Sequence, residues 1–328
     1  MWFLFAAASA LCFGLRGILY QWTSQRPLNR NLLLLGVYAS GTLIALVAAA
    51  VTGQAWTKPV WIGTLLGLFS FISNAAMYKG YSVGKASLVA MFTGLPPVVV
   101  VLFAYVLWGE KLNTAQLAVF VVIVAGILMI RYSNDISLKN LQGAHWGAIT
   151  MLFFGLTDLS SKQATLIGAA TLPTLALMYG TGSLLFAAAW LLERKQEAFA
   201  RAAIRAGCEE AAAGTEAGPA EAADSMVREA APANAAGRGP APALARGWSP
   251  GRTLVWGMFV GITNVCGMIL AMPAFAAGVT GLVSVVIAMN VVLVLFYARF
   301  GLKEKFSRLE SGGLLLALIG IIVLRLAA

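Results

Sequence analysis

Residues 63–89 read GTLLGLFSFISNAAMYKGYSVGKASLV, and residues 257–283 read GMFVGITNVCGMILAMPAFAAGVTGLV. An offset of 194 lays one on the other without a gap. Gly63 and Gly67 fall on Gly257 and Gly261, and Gly84, Leu88 and Val89 fall on Gly278, Leu282 and Val283. The register holds further along: Glu110 and Lys111 fall on Glu304 and Lys305, Gly126 on Gly320, and Arg131 on Arg325. Nearer the N-terminus a weaker match runs at an offset of 141, with Leu11, Phe13, Gly14 and Leu15 on Leu152, Phe154, Gly155 and Leu156. One half of the chain therefore reads as a copy of the other.

The copied unit is apolar. Hydrophobic residues make up 60% of the 328 and charged residues 11%, against about 25% charged in a soluble domain. Mean hydropathy is +0.83. In hydrocarbon every backbone polar group needs an internal partner, so the long apolar runs form helices or a closed barrel. Runs of about 20 residues fit helices, whereas barrel strands are about half as long and alternate. The net charge of +10 does not imply nucleic acid, because the basic residues sit at span ends and in one long loop, where membrane topology places them. Cys12, Cys208 and Cys266 are too scattered for a disulfide framework or a zinc site. A single histidine, His145, excludes histidine-built metal and acid–base sets. No cofactor is expected.

Ten spans are predicted: 2–21, 32–52, 60–80, 86–108, 114–131, 145–165, 172–192, 252–275, 280–301 and 309–326. The fold class expected is all-α integral membrane, ten helices as two five-helix repeats. The first repeat covers 1–140, and the second covers 141–192 and 251–328. The first span lacks a basic leader region and reads as an uncleaved helix. An insertion at 193–250 separates the parts of the second repeat and changes the offset from 141 to 194. Rich in Ala, Gly, Pro, Glu and Arg, it cannot bury enough apolar surface to offset its ordering entropy and is expected to be disordered. Its start, Glu193 to Ala213, has the composition to continue as a helix. Trp22, Trp56, Trp61, Trp108, Trp146, Trp190 and Trp256 mark span ends, as amphipathic indoles do. With the N-terminus outside, Arg26, Arg30, Lys79, Lys85, Arg131, Lys139, Arg299, Lys303, Lys305 and Arg308 face the cytoplasm, while Lys58, Lys111, Lys162 and Arg325 face out. The positive-inside rule then puts both termini outside a plasma membrane, the bacterial inner membrane being the expected one. With five spans per copy, the copies are oppositely oriented, a geometry of secondary transporters whose site lies at the repeat interface.

Polar residues inside spans are the candidate site, because they are costly in hydrocarbon and usually face a cavity. Asp158 lies in span six and reads as a proton-coupling or substrate-binding carboxylate, with a structural hydrogen bond as the alternative. Arg16 in span one is a candidate anion contact, and Thr157 takes its counterpart position. An Arg16–Asp158 ion pair is open. Asn74 and Tyr78 share one face of span three, and Asn264 lies in span eight. All three are candidates for a cavity lining or for bonds to neighbouring backbone. Pro96 and Pro97 should break span four, with Asn290 at the counterpart position in span nine, freeing carbonyls near the midplane. Pro273 reads as a terminator of span eight. The GxxxG pairs Gly63/Gly67 and Gly257/Gly261 allow close helix approach, within the chain or in a homodimer. Glu110 and Glu304 precede helices and read as caps. The run Gly80–Lys85 is one residue short of a phosphate loop and is followed by Ala86 rather than Ser or Thr. No paired carboxylates or nucleophile–base set lie at matching depth, so an enzyme is not expected.

Five plus five spans with a glutamate after spans four and nine resemble the drug/metabolite transporter (DMT) superfamily, EamA-like branch. The residues carrying this are Ala86-Ser87-Leu88-Val89, Pro96-Pro97, Gly109-Glu110 and Gly126, with Leu282-Val283, Glu304 and Gly320 in the second copy. Lys303 stands where the second copy would repeat the glycine before its glutamate. The resemblance implies a permease with a central cavity lined by spans one, three, four, six, eight and nine. It implies efflux or facilitated movement of a small metabolite, amino acid or drug, with lipid and the small-molecule substrate as the partners. A mover of a lipid-linked headgroup and a non-transporting receptor or assembly factor are the alternatives.

Overall fold

Apolar runs of this length can only satisfy their backbone in lipid by coiling into helices. In the computed structural model, residues 1–24, 26–83, 86–131, 143–214, 248–301 and 307–327 are described, and no strand occurs among them. The helices are α1 (Trp2–Ser24), α2 (Arg30–Thr52), α3 (Ile62–Val83), α4 (Ala86–Phe92), α5 (Pro96–Trp108), α6 (Thr114–Arg131), α7 (Ala144–Leu166), α8 (Thr171–Gly214), α9 (Pro250–Ala277), α10 (Thr280–Ala288), α11 (Asn290–Phe300) and α12 (Arg308–Ala327). Among the described residues, eight segments are long and apolar enough to cross a membrane. The helices α7 and α12 are not among these eight. A polar run from Thr157 to Gln163 interrupts α7, and Arg308, Glu310 and Arg325 flank the apolar stretch of α12. Large apolar side chains such as Leu102, Val106, Leu184, Phe259 and Ile322 stay exposed on outer faces, as lipid-facing positions do. The chain is a multi-pass membrane protein.

Local chemistry sets the ends. Asn29 accepts the Leu32 N–H at 2.9 Å to start α2, and Gly53 closes that helix at φ 64°. The αL turn at Gly53 is open to glycine at no steric cost. Spans four and nine are each broken in two. Pro96, lacking an N–H, opens α5 after the turn at Thr93–Leu95. In the second copy the break falls at Met289, and Asn290 Nδ2 donates to the Ile287 carbonyl at 3.0 Å. Pro273 does not terminate its helix: α9 runs four residues past it to Ala277. A transmembrane helix tolerates proline where neighbours take up the freed carbonyl. Past the expected span end at residue 192, α8 continues unbroken to Gly214, as the composition of Glu193 to Ala213 allowed. The expected disorder of 215–247 and the roles of Gly84, Lys85, Lys139, Lys303, Glu304 and Lys305 lie outside the described residues.

The sequence copy is reproduced as reciprocal contacts. Gly63 and Gly67 press against the carbonyl oxygens of Thr174 and Met178, while Gly257 and Gly261 press against those of Leu33 and Val37. The glycines are 194 apart and their partners 141 apart, so α3 on α8 and α9 on α2 are the same joint made twice. The same holds for Gly14 against Leu293 and Gly155 against Val99. Repeat mates Tyr38 and Tyr179 meet edge to face, ring centroids 5.6 Å apart. Gly41 receives the Tyr179 ring and Gly182, its counterpart, receives Tyr38. Contacts in which i meets j′ and i′ meets j mark a two-fold relation. A pair of mates in mutual contact places its axis between Tyr38 and Tyr179.

Candidate functional site

Two buried polar clusters lie in the bundle. The first gathers around Arg16 of α1. Its Nη1 donates to Asn264 Oδ1 of α9 at 2.5 Å, and its guanidinium lies 4.6 Å from the Phe13 ring centroid and 5.8 Å from that of Tyr20. Tyr20, Tyr38 and Tyr179 lie within electrostatic reach of its charge. Beside it, Tyr38 bonds Ser70 of α3 through its hydroxyl. Asn74 Nδ2 donates to the Ser70 carbonyl at 2.7 Å and to the Tyr38 hydroxyl at 3.4 Å. Tyr78 lies under Arg30, 5.4 Å from the guanidinium. Arg16 and Asn264 are thus joined directly, Asn74 spends its amide on backbone and tyrosine together, and Tyr78 stands against Arg30.

The second cluster joins α7 to the short helix α10. Ser284 Oγ donates to Asp158 Oδ2 at 2.5 Å. One turn along α7, Lys162 is buried, 7% exposed, and its Nζ donates to the carbonyls of Phe275 and Gly278 at 2.9 and 3.1 Å. The ammonium also pairs with Glu110 at 3.5 Å. Glu110 in turn accepts the Thr280 N–H at 2.8 Å and the Thr280 hydroxyl at 2.9 Å. Cation and carboxylate therefore sit where helix ends need them: Lys162 on the last carbonyls of α9, Glu110 on the first N–H of α10. Because Asp158 and Lys162, and Ser284 and Thr280, are each four residues apart, α7 and α10 are riveted by two rungs about one turn, or 5.4 Å, apart.

Several expectations are resolved here. Arg16 and Asp158 do not pair; each has a neutral partner on another helix. Glu110 caps a helix, but that helix is α10 of the other repeat rather than the one that follows it in sequence. Lys162 is not an exposed lysine at a span end; it is withdrawn into the bundle because three acceptors compensate its charge. Thr157 gives its hydroxyl to the Phe153 carbonyl of its own helix at 2.8 Å and turns away from an Arg16-like role. The break before Pro96 frees the Ala90 carbonyl, but Arg131 Nη1 takes it at 2.9 Å, together with Thr93 Oγ1 at 2.8 Å. The sequence reading missed Ser284, Tyr38, Ser70 and Tyr179. The tyrosines carried a usable signal, since they recur at the 141 offset. Ser284 carried none, a lone serine in an apolar run. Among the described residues no group of His, Cys, Asp and Glu is placed to hold a metal ion.

Residues 1–132 match the model of the EamA-like transporter family. Over those residues the chain is similar to that family, the resemblance that the motifs around Pro96-Pro97 and Gly109-Glu110 pointed to. A solved crystal structure of a protein is similar over 100% of this chain and 97% of its own, with a TM-score of 0.67 and 16% identity. At that identity the likeness shows the fold. No curated protein matches the chain.

Proposed function

We propose that this chain is a secondary transporter that moves a small organic solute across the plasma membrane by alternating access, built as ten spans in two oppositely oriented five-helix repeats. The reciprocal glycine contacts at offsets of 141 and 194 carry the reading. Five spans per copy, counting α4–α5 and α10–α11 as one broken span each, reverse the second copy in the bilayer. Two equivalent joints then give two equivalent ways to rock, one opening to each side. The paired breaks in α4–α5 and α10–α11 support this, because half-helices pivot where a continuous helix resists bending.

Asp158 is the coupling group in this scheme. Its carboxylate holds Ser284 on the half-helix α10. As an anion it only accepts hydrogen bonds, whereas protonated it also donates. Loading a proton or the solute on Asp158 therefore changes the rung that ties α10 to α7, and with it the balance between the two rocked states. Both termini lie outside, as the Lys and Arg distribution supports, and movement runs outward, as the family resemblance implies.

The test uses purified full-length protein. A thermal-shift screen of metabolites selects a stabilising solute, whose flux is then followed in proteoliposomes. Asp158→Asn should abolish flux or its pH dependence while the variant still inserts. Unchanged flux and pH profile would remove Asp158 from the mechanism. Cysteine labels at residues 84 and 278 should report opposite compartments; labelling from one side only would end the inverted-repeat reading.

A further inference from the structure

The two-fold relation around Tyr38 and Tyr179 is broken at their hydroxyls. Tyr38 bonds Ser70 and receives Asn74. At the 194 offset Ser70 corresponds to Asn264 and Asn74 to Met268. The mate of the Tyr38–Ser70 bond would thus join Tyr179 to Asn264. That bond is absent, because Asn264 gives its oxygen to Arg16. Tyr179 is fully buried, and its hydroxyl has no partner. Arg16 Nε is also buried without a partner. The acceptor-rich side of one repeat has become a donor-rich side in the other: an unpaired phenol, an unpaired guanidinium N–H and a full positive charge. Among the described residues no carboxylate faces Arg16; Phe13, Tyr20, Tyr38, Tyr179 and Asn264 do.

A guanidinium inside a membrane bundle with no counter-charge is expensive, and two unsatisfied buried donors beside it add to the cost. One group satisfies all three: a small anion. With Nη1 held by Asn264, the Nε edge of the guanidinium remains for a planar two-oxygen acceptor, the geometry at which arginine binds carboxylates. Phe13 and Tyr20, both beside the guanidinium, supply aromatic surface for the rest of the molecule. We infer that the Arg16–Tyr179–Asn264 cluster is the binding site for a small organic anion, a carboxylate or phosphate carried on an apolar or aromatic body. This rests on the transporter reading above, since Arg16 Nε is shielded here and the rocking of the repeats is what would admit a ligand.

Binding is measurable without a gradient. The probe is benzoate, added to detergent-purified full-length protein, with apparent stability followed against concentration. Benzamide, isosteric and neutral, is the control. Stabilisation by benzoate and not by benzamide is expected, with affinity falling about tenfold or more in Arg16→Gln, as loss of a charge-assisted pair requires. Tyr179→Phe keeps the ring and removes only the orphan hydroxyl, so it folds where Arg16→Gln fails to, and its benzoate affinity should still fall about fivefold or more. Phenyl phosphate in parallel, and nanodiscs with and without phosphatidylglycerol, separate the sources. Response to benzoate or phenyl phosphate in detergent supports the site. Response only to phosphatidylglycerol, equal response to benzamide, or no response to any anion overturns it. A chain that binds benzoate but moves no solute leaves this site standing and removes the transport reading; one that moves solutes yet ignores their charge does the reverse.

Discussion

Removing either charge of the Lys162–Glu110 pair should reveal how firmly α7 holds the α9–α10 corner. At 3.5 Å and an effective dielectric near 20, the Coulomb attraction is about 5 kcal/mol. Most of it is offset by desolvation, since a side chain 9% exposed faces one 21% exposed. Breaking such a buried pair from one side usually costs about 3–5 kcal/mol. Here the survivor is not stranded: Lys162 keeps two carbonyls and Glu110 keeps both Thr280 donors. Glu110→Gln and Lys162→Met are therefore each expected to cost about 2–3 kcal/mol, below the usual range. The double variant should cost about 1–2 kcal/mol less than their sum, because neither then leaves a charge behind. The assay is reversible unfolding of the detergent-solubilised chain by titration with SDS, as a double-mutant cycle. The coupling should persist in 0.5 M salt, since buried pairs are poorly screened. A coupling within about 0.5 kcal/mol of zero, the level of ordinary additivity, would refute the claim that these groups act as one lock.

Three further outcomes follow from particular contacts. Gly261→Leu should destabilise by about 1–3 kcal/mol or more, because its Cβ meets the Val37 backbone and the Ser40 hydroxyl, neither able to retreat; Gly67→Leu should behave alike at the mirrored joint, and both are read by the same unfolding titration. Arg131→Met should cost about 1–3 kcal/mol by removing the charge-assisted bonds to the Ala90 carbonyl and the Thr93 hydroxyl, the carbonyl keeping only the Thr93 hydroxyl at 2.7 Å, whereas Arg131→Lys should recover part of that. Trp248→Ala should shift tryptophan emission, because Trp248 meets Trp22 and Trp256 edge to face at 5.9 and 6.1 Å; an unchanged spectrum would mean that this triad does not persist in the membrane.

The glycines made the fold readable from the chain. Gly63, Gly67, Gly257 and Gly261 mark close backbone approach by their spacing alone, and Pro96 marks a break by the N–H it lacks. Such features act locally, so they survive without knowledge of the partner. Lys162 shows the opposite limit. Its sequence position, near the end of a span, is that of an interfacial lysine. Only the arrival of Glu110 from one repeat and the α9 carbonyls from the other makes burial tolerable, and neither is near it in sequence. Asn264 was found as a polar residue in an apolar span, but not its partner, since the Arg16–Asn264 bond crosses 248 positions. Pro273 was misread for a related reason: a proline stops an isolated helix, whereas a helix held on α1, α2 and α7 continues through it.

What the repeat does not reproduce carries as much information as what it does. At the two offsets the rivet of Glu110, Lys162 and Thr280 corresponds to Glu304, Gln21 and Ala86. The carboxylate is kept, the cation is replaced by an amide, and the hydroxyl is lost. One end of the bundle is therefore closed by an ion pair, while the sequence at the other end offers no cation at the equivalent place. In the first repeat the Tyr38 hydroxyl is satisfied within its own cluster; in the second the Tyr179 hydroxyl is left beside a positive charge. A two-fold scaffold with identical joints would rock between states of equal energy. Charges that differ between the halves tilt that balance, and a ligand that binds one tilted state better can shift it only by its differential affinity. An anion at Arg16 and a proton at Asp158, as proposed, would act on opposite halves of the same scaffold, so each would have a separate handle on the equilibrium.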